Sequence, residues 1–279
     1  MKIKKILITG STGFLGYQIL EFLLKKGFHV TDLIRNKNKK LNLLKQKYKK
    51  NYNSILINKN FEKKMKGKKY ELFIHLATFY KKKYDKFEIS NLIESNINFP
   101  IKILKNIDLK KLTFVNFGSM MEYSGNLRSP KNIYATSKIF FEQSSELFQI
   151  KNQFNIKISE TFSLYDTRKK IIPELIKSIK KRRVFNLVGK NLVLNFITIE
   201  IIFDVIDKIL NKKIKPGSYV LQNKKFTNIS NLLKKLKDSK ICNFRYTIKK
   251  NRQKNLSLNF LNYNFDVYKK LKNYLNENS

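Results

Sequence analysis

Apolar residues fall in short dense runs near the N-terminus, separated by stretches whose apolar positions recur every three or four residues. Residues 3–8 and 28–34 read as buried strands. Between them Ile19, Leu20, Phe22, Leu23 and Leu24 predict a helix over 15–26 that Gly27 ends. Ser54–Ile57, Leu72–Ala77 and Leu112–Phe117 are further runs of strand length, nearly continuous in apolar residues as strands buried on both faces are. Helical spacing marks 89–104, through Ile89, Leu92, Ile93, Ile97 and Ile101, and 132–150, while Ile156–Phe162 reads as a sixth strand. Lys37 to Lys50 is a lysine-rich helix or loop. Beyond about residue 163 the alternation loosens. Helices are expected at 171–179, 199–210 and 229–236, and a strand at Ser218–Leu221. Alternation of this kind predicts an α/β fold, a doubly wound parallel sheet with right-handed crossovers.

The first strand and first helix are joined by Thr9-Gly-Ser-Thr-Gly-Phe-Leu-Gly16. Only nine glycines occur in 279 residues, so chance would supply this spacing in about one such chain in a hundred. A strand, a glycine turn and a helix N-terminus make an anion site, because backbone N–H groups point outward and no side chain blocks a pyrophosphate. A tight turn alone needs one glycine, not three. A dinucleotide is therefore expected against Gly10, Thr12, Gly13, Phe14, Leu15 and Gly16. We expect a Rossmann NAD(P)-binding domain over 1–162, and over 163–279 a smaller substrate-binding part, interleaved with it and not independent.

Composition changes the picture in three ways. The single cysteine, Cys242, excludes an internal disulfide, and two histidines exclude a multi-histidine zinc site, so no metal is expected. No apolar run approaches the ~20 residues of a spanning helix, and the glycine turn interrupts the N-terminal apolar stretch before it resembles a signal peptide. A cytoplasmic protein without membrane insertion is the expectation. The net charge of +39 suggests nucleic acid, yet 52 of the 59 basic residues are lysine. Readers of phosphates and bases favour the arginine fork, and lysines scattered among Asn and Ile match A/T-rich codon usage. Nucleic acid is thus not the expected partner. A field that attracts anionic substrates, and a non-catalytic basic module binding RNA or a protein partner, are the weaker alternatives.

Thr9–Gly16, His75-Leu-Ala-Thr78, Asn96, Ser119 and Tyr134-Ala-Thr-Ser-Lys138 occur in that order over roughly residues 3–210. Together they resemble the extended short-chain dehydrogenases/reductases that act on nucleotide sugars, the NAD-dependent epimerase/dehydratase family. Tyr-x-x-x-Lys by itself says little. Roughly three such pairs are due by chance, and the chain holds four: Tyr134/Lys138, Tyr165/Lys169, Tyr246/Lys250 and Tyr268/Lys272. Segment order selects the first.

The resemblance implies Ser119, Tyr134 and Lys138 as catalytic residues. Tyr134 would exchange a proton with a sugar hydroxyl or carbonyl while hydride moves at a nicotinamide. A free phenol has a pKa near 10; Lys138, one helical turn on, would favour the phenolate and hold the nicotinamide ribose. Ser119 would align the reacting oxygen. Ala77 and Asn96 would face the cofactor, and Thr78, Ser119 and Arg168 the substrate, with Arg168 equally readable as a structural ion pair. His75 reads as a packed strand residue.

The family's 4,6-dehydratases carry an Asp-Glu pair directly after the active-site hydroxyl residue. Here Met120 and Met121 stand there and cannot move protons, which argues against that reaction. Epimerisation at C4, or reduction of a 4-keto group, on a nucleotide-activated sugar for surface polysaccharide or deoxysugar synthesis is the expected function. An NADPH-dependent reductase of a non-sugar carbonyl is the alternative. Glu160–Lys170 is similar to the Tyr-Gly-Pro–Asp-x-Arg region of CDP-abequose-type synthases, with Phe162-Ser163-Leu164 in place of Tyr-Gly-Pro. NAD-specific members end the second strand on an acidic residue. Ile34 followed by Arg35 suits a 2′-phosphate instead, so NADP is expected over NAD; Asp32 would reverse this if the strand ended sooner. Helices near 89–104 and 134–148, with Phe140, Phe141 and Phe148, are the candidate faces of a homodimer, although core packing explains those rings equally well.

Overall fold

A computed structural model describes residues 5–81, 83–123, 127–164, 166, 168, 170–189, 192–239, 244–249 and 260–277. Cys242, Tyr165, Lys169 and Lys250 lie outside the described residues. The chain divides into two compact units, Met1–Lys157 with Ile206–Tyr219, and Ile158–Val205 with Val220–Ser279.

The first unit runs β1 (Lys5–Thr9), α1 (Phe14–Lys25), β2 (His29–Ile34), α2 (Lys39–Lys47), β3 (Tyr52–Leu56), α3 (Phe61–Met65), β4 (Leu72–His75), α4 (Lys86–Ile93), α5 (Phe99–Asn106), β5 (Thr113–Ser119), α6 (Ile133–Glu146) and β6 (Asn152–Ile158). The strand order is β6-β5-β4-β1-β2-β3. β1 is parallel to β2 and β4, β2 to β3, and β4 to β5. This is the Rossmann arrangement. The order reverses between β1 and β4, which opens a crevice at the carboxyl ends of those two strands. Leu7, Leu33, Phe73, Ile103, Phe114 and Phe141 build one core cluster of this unit. Burying a side chain of that size is worth about 1.5–3 kcal/mol.

Two predicted elements are divided. The stretch 89–104 is not one helix: α4 ends at Ile93, Glu94–Asn98 form a π-helical turn, and α5 starts at Phe99. Pro100 lacks an N–H and its ring crowds the carbonyl four residues back, that of Asn96. The wider turn relieves this, with the Phe99 N–H reaching back to the Glu94 carbonyl. Ile156–Phe162 is likewise two strands, β6 and β7 (Glu160–Phe162), because β7 pairs elsewhere.

After β7 come α7 (Ile171–Lys180), β8 (Phe185–Val188), β9 (Val193–Leu194), β10 (Phe196–Thr198), α8 (Ile199–Leu210), β11 (Gly217–Asn223), β12 (Thr227–Asn228), α9 (Ile229–Asp238), β13 (Tyr246–Lys249), β14 (Phe260–Tyr263) and α10 (Val267–Glu277). The strands of the second unit pair in short ladders, β7 with β10, β8 with β13, β9 with β12, and the end of β11 with β14. Phe162, Ile172, Leu175, Leu232, Leu233 and Leu271 lie in its core. No described helix is long and apolar enough to cross a membrane.

Candidate functional site

The glycine turn fits a dinucleotide by geometry. Gly10 has φ +80°, and a Cβ there would lie 2.5 Å from the Ala77 nitrogen. A Cβ on Gly16 would lie 2.2 Å from the Gly10 carbonyl oxygen. Both glycines are thus demanded by close backbone approach, one between the turn and the end of β4, the other between the turn and α1. Gly13 is the N-cap of α1; no side chain caps that helix and no acidic residue stands in its first turn. Uncapped N–H groups at a helix start are anion ligands. Thr12 and Gly13 are exposed, while Phe14 and Leu15 are half-buried.

β2 runs through Ile34, so Asp32 lies inside the strand and not at its end. Its carboxylate is fully buried and accepts hydrogen bonds from the Ser11 hydroxyl (2.5 Å) and the Tyr52 hydroxyl (2.9 Å). Burial pushes the Asp32 carboxyl up to about 6, against the pull of those two donors. Ile34 is buried; Arg35 is exposed and donates to the Ser95 hydroxyl at 3.2 Å.

At the end of β4 the Leu76 and Ala77 N–H groups both donate to the Thr9 hydroxyl oxygen, which also bonds His75 Nδ1 at 2.8 Å. His75 is fully buried between the rings of Phe73 and Phe141. Burial first, and then the charge of Lys138, hold its pKa far below the usual imidazole value. His75 is therefore a neutral, packed strand residue. Asn96 sits in the π-helical turn, where the displaced backbone aims its amide at the segment after β4. It accepts from the Phe79 N–H (2.6 Å) and the Thr78 hydroxyl (3.2 Å), and it donates to the Phe79 carbonyl and the Ser137 hydroxyl. Asn96 thereby ties Thr78 to α6.

Asn132 caps α6 by accepting from the Ala135 N–H, and this sets Tyr134 and Lys138 one turn apart at the start of the helix. Tyr134 hydrogen-bonds Thr78 and stands edge-on to the Tyr80 ring at 4.8 Å. Its phenol is raised well above the ordinary tyrosine value, chiefly by burial; the Thr78 bond opposes this, while Glu122, Tyr84 and Tyr80 add to it. Lys138 is buried and pushed down to about 8 by desolvation, with Glu122 raising it and Lys157 lowering it. In this state burial outweighs the lysine effect expected on the phenol. Ser119 ends β5 half-buried; its hydroxyl accepts from the Met121 N–H, and its own N–H donates to Glu122 Oε1 at 2.7 Å.

The model of the NAD dependent epimerase/dehydratase family matches residues 6–221. The chain belongs to that family. It is 26% identical over 227 residues to the CDP-abequose synthase of Salmonella muenchen, covering 77% of this chain and 73% of that protein. Among solved structures it is similar to the UDP-glucuronic acid 4-epimerase of Bacillus cereus in complex with UDP-glucuronic acid and NAD. That match has a TM-score of 0.73 and 16% identity, over 99% of this chain and 93% of the other. The dTDP-glucose 4,6-dehydratase of Bacillus anthracis in complex with NAD matches with a TM-score of 0.72 and 15% identity, over 91% of this chain and 87% of that one.

In the second unit of this family member, Arg168 forks onto the Asp166 carboxylate through Nε and Nη2 and also donates to the Thr161 hydroxyl at 2.7 Å. Four residues of the first unit were not singled out in the sequence: Glu122, Lys157, Glu142 and Arg128. Lys157 is buried and bonds both Glu122 (2.9 Å) and Glu142, while Arg128 bonds Glu142 at 2.6 Å. The local signal was Ser119-x-x-Glu122, a capping box that closes a short 3-10 turn over Met120–Glu122. Separately, a cavity of about 880 Å³ lined by Lys5, His29, Lys45, Lys49, Lys50 and Lys69 includes none of the candidate site residues.

Proposed function

We propose that this protein is a cytoplasmic NAD(P)(H)-dependent enzyme acting at C4 of a nucleotide-activated sugar, as an epimerase or a 4-keto reductase. It would serve surface polysaccharide or deoxysugar synthesis. One observation carries the reading: Tyr134, with Lys138 one turn on, stands beside Thr78, the residue directly after Ala77, whose nitrogen the glycine turn approaches.

A bound nicotinamide would exchange hydride with the sugar carbon. Gly10, Thr12, Gly13, Phe14, Leu15 and Gly16 would hold the pyrophosphate, and Ala77 and Asn96 would shape the floor beneath it. Tyr134 is the proton carrier. A phenol raised by burial keeps its proton near neutral pH and is a donor to a C4 oxygen that becomes a hydroxyl. Ser119 and Thr78 supply hydroxyls that align that oxygen. Lys138 offers an ammonium to the nicotinamide ribose, and its pKa of about 8 leaves it mostly charged at neutral pH. Met120 and Met121, directly after Ser119, carry no titratable group, which supports epimerisation or reduction over water elimination. Arg168, which forks onto Asp166, is the residue that meets the substrate diphosphate in this reading.

NADP is the favoured cofactor, since Ile34 stands where NAD-specific members place a ribose-binding carboxylate and the Arg35 guanidinium follows it. A homodimer through the helices near 89–104 and 134–148 is part of the proposal; of its three candidate rings only Phe140 is exposed, whereas Phe141 is buried in the core and Phe148 packs against it. The test is to incubate the purified protein with NADPH and CDP-, dTDP- and UDP-4-keto sugars and to follow absorbance loss. Turnover of one of them is expected, with Tyr134→Phe losing at least about a hundredfold. Undiminished turnover in Tyr134→Phe overturns the reading. Turnover only of non-sugar carbonyls replaces the substrate class, and oligonucleotide binding that persists at physiological salt without any turnover favours the basic-module alternative.

A further inference from the structure

Glu122 is fully buried, and its carboxylate is shared between the Ser119 backbone N–H and the Lys157 ammonium. Its approach to the backbone depends on Gly118. A Cβ at that position would lie 2.5 Å from Glu122 Oε1 and 3.4 Å from Lys157 Cγ. A glycine whose φ is not positive, next to the candidate catalytic serine, thus has a steric reason: it leaves room for a carboxylate. Lys157 also bonds Glu142, and Arg128 closes the cluster, lying 2.6 Å from Glu142 and 3.8 Å from Glu122. Two carboxylates and two cations balance, which is what allows a charge to be held out of water.

We propose that Glu122 is a positioning residue of this site: its carboxylate anchors the backbone of Ser119 and presents a buried negative charge to Lys138 and Tyr134. This rests on the proposed roles of Ser119, Tyr134 and Lys138. The groups that face Lys138 are His75 on β4, Glu122 after β5 and Lys157 on β6; those that face Tyr134 are Thr78, Tyr80, Tyr84 and Glu122. His75 is neutral, so Glu122 and Lys157 set the local field. The Glu122 charge favours the ammonium of Lys138 and disfavours the phenolate of Tyr134. Both groups therefore hold their protons to higher pH than they would without it.

The test has two readouts. In full-length protein labelled with ¹³Cε-lysine, one resonance should titrate near pH 8, apart from the bulk of the lysines, and vanish in Lys138→Met. Glu122→Gln keeps an acceptor for the Ser119 N–H and removes the charge, so this titration should move down by about one pH unit. Gly118→Ala is the second variant. Its Cβ meets the end of a flexible side chain and no backbone, so the fold stands while the carboxylate is displaced, and the same downward shift is expected. The second readout is the pH profile of NADPH-dependent turnover, in which Glu122→Gln should move the alkaline limb to lower pH, because Lys138 then loses its proton sooner. A Lys138 titration that coincides with wild type in Glu122→Gln, or in Gly118→Ala if the former does not fold, overturns the proposal. The NMR arm needs no substrate, so failure of the proposed function, seen as full turnover in Tyr134→Phe, is a separate result.

Discussion

Two buried carboxylates near the carboxyl ends of the sheet strands have opposite surroundings. Asp32, on β2 beneath the glycine turn, takes hydrogen bonds from two hydroxyls, and its Oδ1 has no partner among the described residues. Glu122, after β5, is as deeply buried but bonds the Lys157 ammonium and a backbone N–H, with Arg128 close by. Hydroxyl donors alone do not offset desolvation, and Asp32 is driven up to about 6. A paired carboxylate can instead serve as a fixed charge. Both acids are buried; what sets them apart is the cation beside Glu122, which Asp32 lacks among the described residues.

The largest expected effect tests the paired site. Lys157→Met leaves Glu122 and Glu142 to share the partly exposed Arg128, and should cost about 3–5 kcal/mol of unfolding free energy in urea titration. A loss below about 1 kcal/mol would mean that the cluster is solvated and unlike its buried appearance. Next comes the unpaired site. The folded Asp32 carboxyl titrates near 6, against about 3.9 unfolded. The native state then binds the proton more tightly, and the Asp32 contribution to stability falls as pH rises from about 4 through about 6. Asp32→Asn should therefore gain about 1–3 kcal/mol at pH 7.5 and nothing near pH 4; a gain of equal size at both would show that charge is not the cause. The smallest effect concerns the end of the same strand. With Asp32 turned inward, Arg35→Ala should weaken NADPH binding about tenfold in calorimetry and leave NADH nearly unchanged. Equal losses for both cofactors would remove Arg35 from the choice between them.

The glycine turn was legible because its requirement is local: positive φ at Gly10 and close approach at Gly16 leave a trace in the residue type itself. Most strands of the first unit were legible for a related reason, since a strand buried on both faces must be apolar throughout. The break at Pro100 had a signal that periodicity hid, because apolar spacing continues across the π-helical turn. The ladders of the second unit were not legible: β9 and β12 are two residues long, too short for any period to register. Tyr134 and Lys138 stood out from three other pairs of the same spacing only through their place after β5.

Sequence alone determined the strand, glycine turn and helix unit, the α/β class and the order of segments, since each follows from residue types within one element and its neighbours. Tertiary structure decided which charges are fixed. Ser119-x-x-Glu122 marked a turn, but only folding brings Lys157, 35 positions later, against that carboxylate. The same holds for Asp32, whose fate depends on Ser11 and Tyr52 from two other segments. A carboxyl's charge reflects the dielectric and the partners around it, and both belong to the packed molecule and not to the local chain.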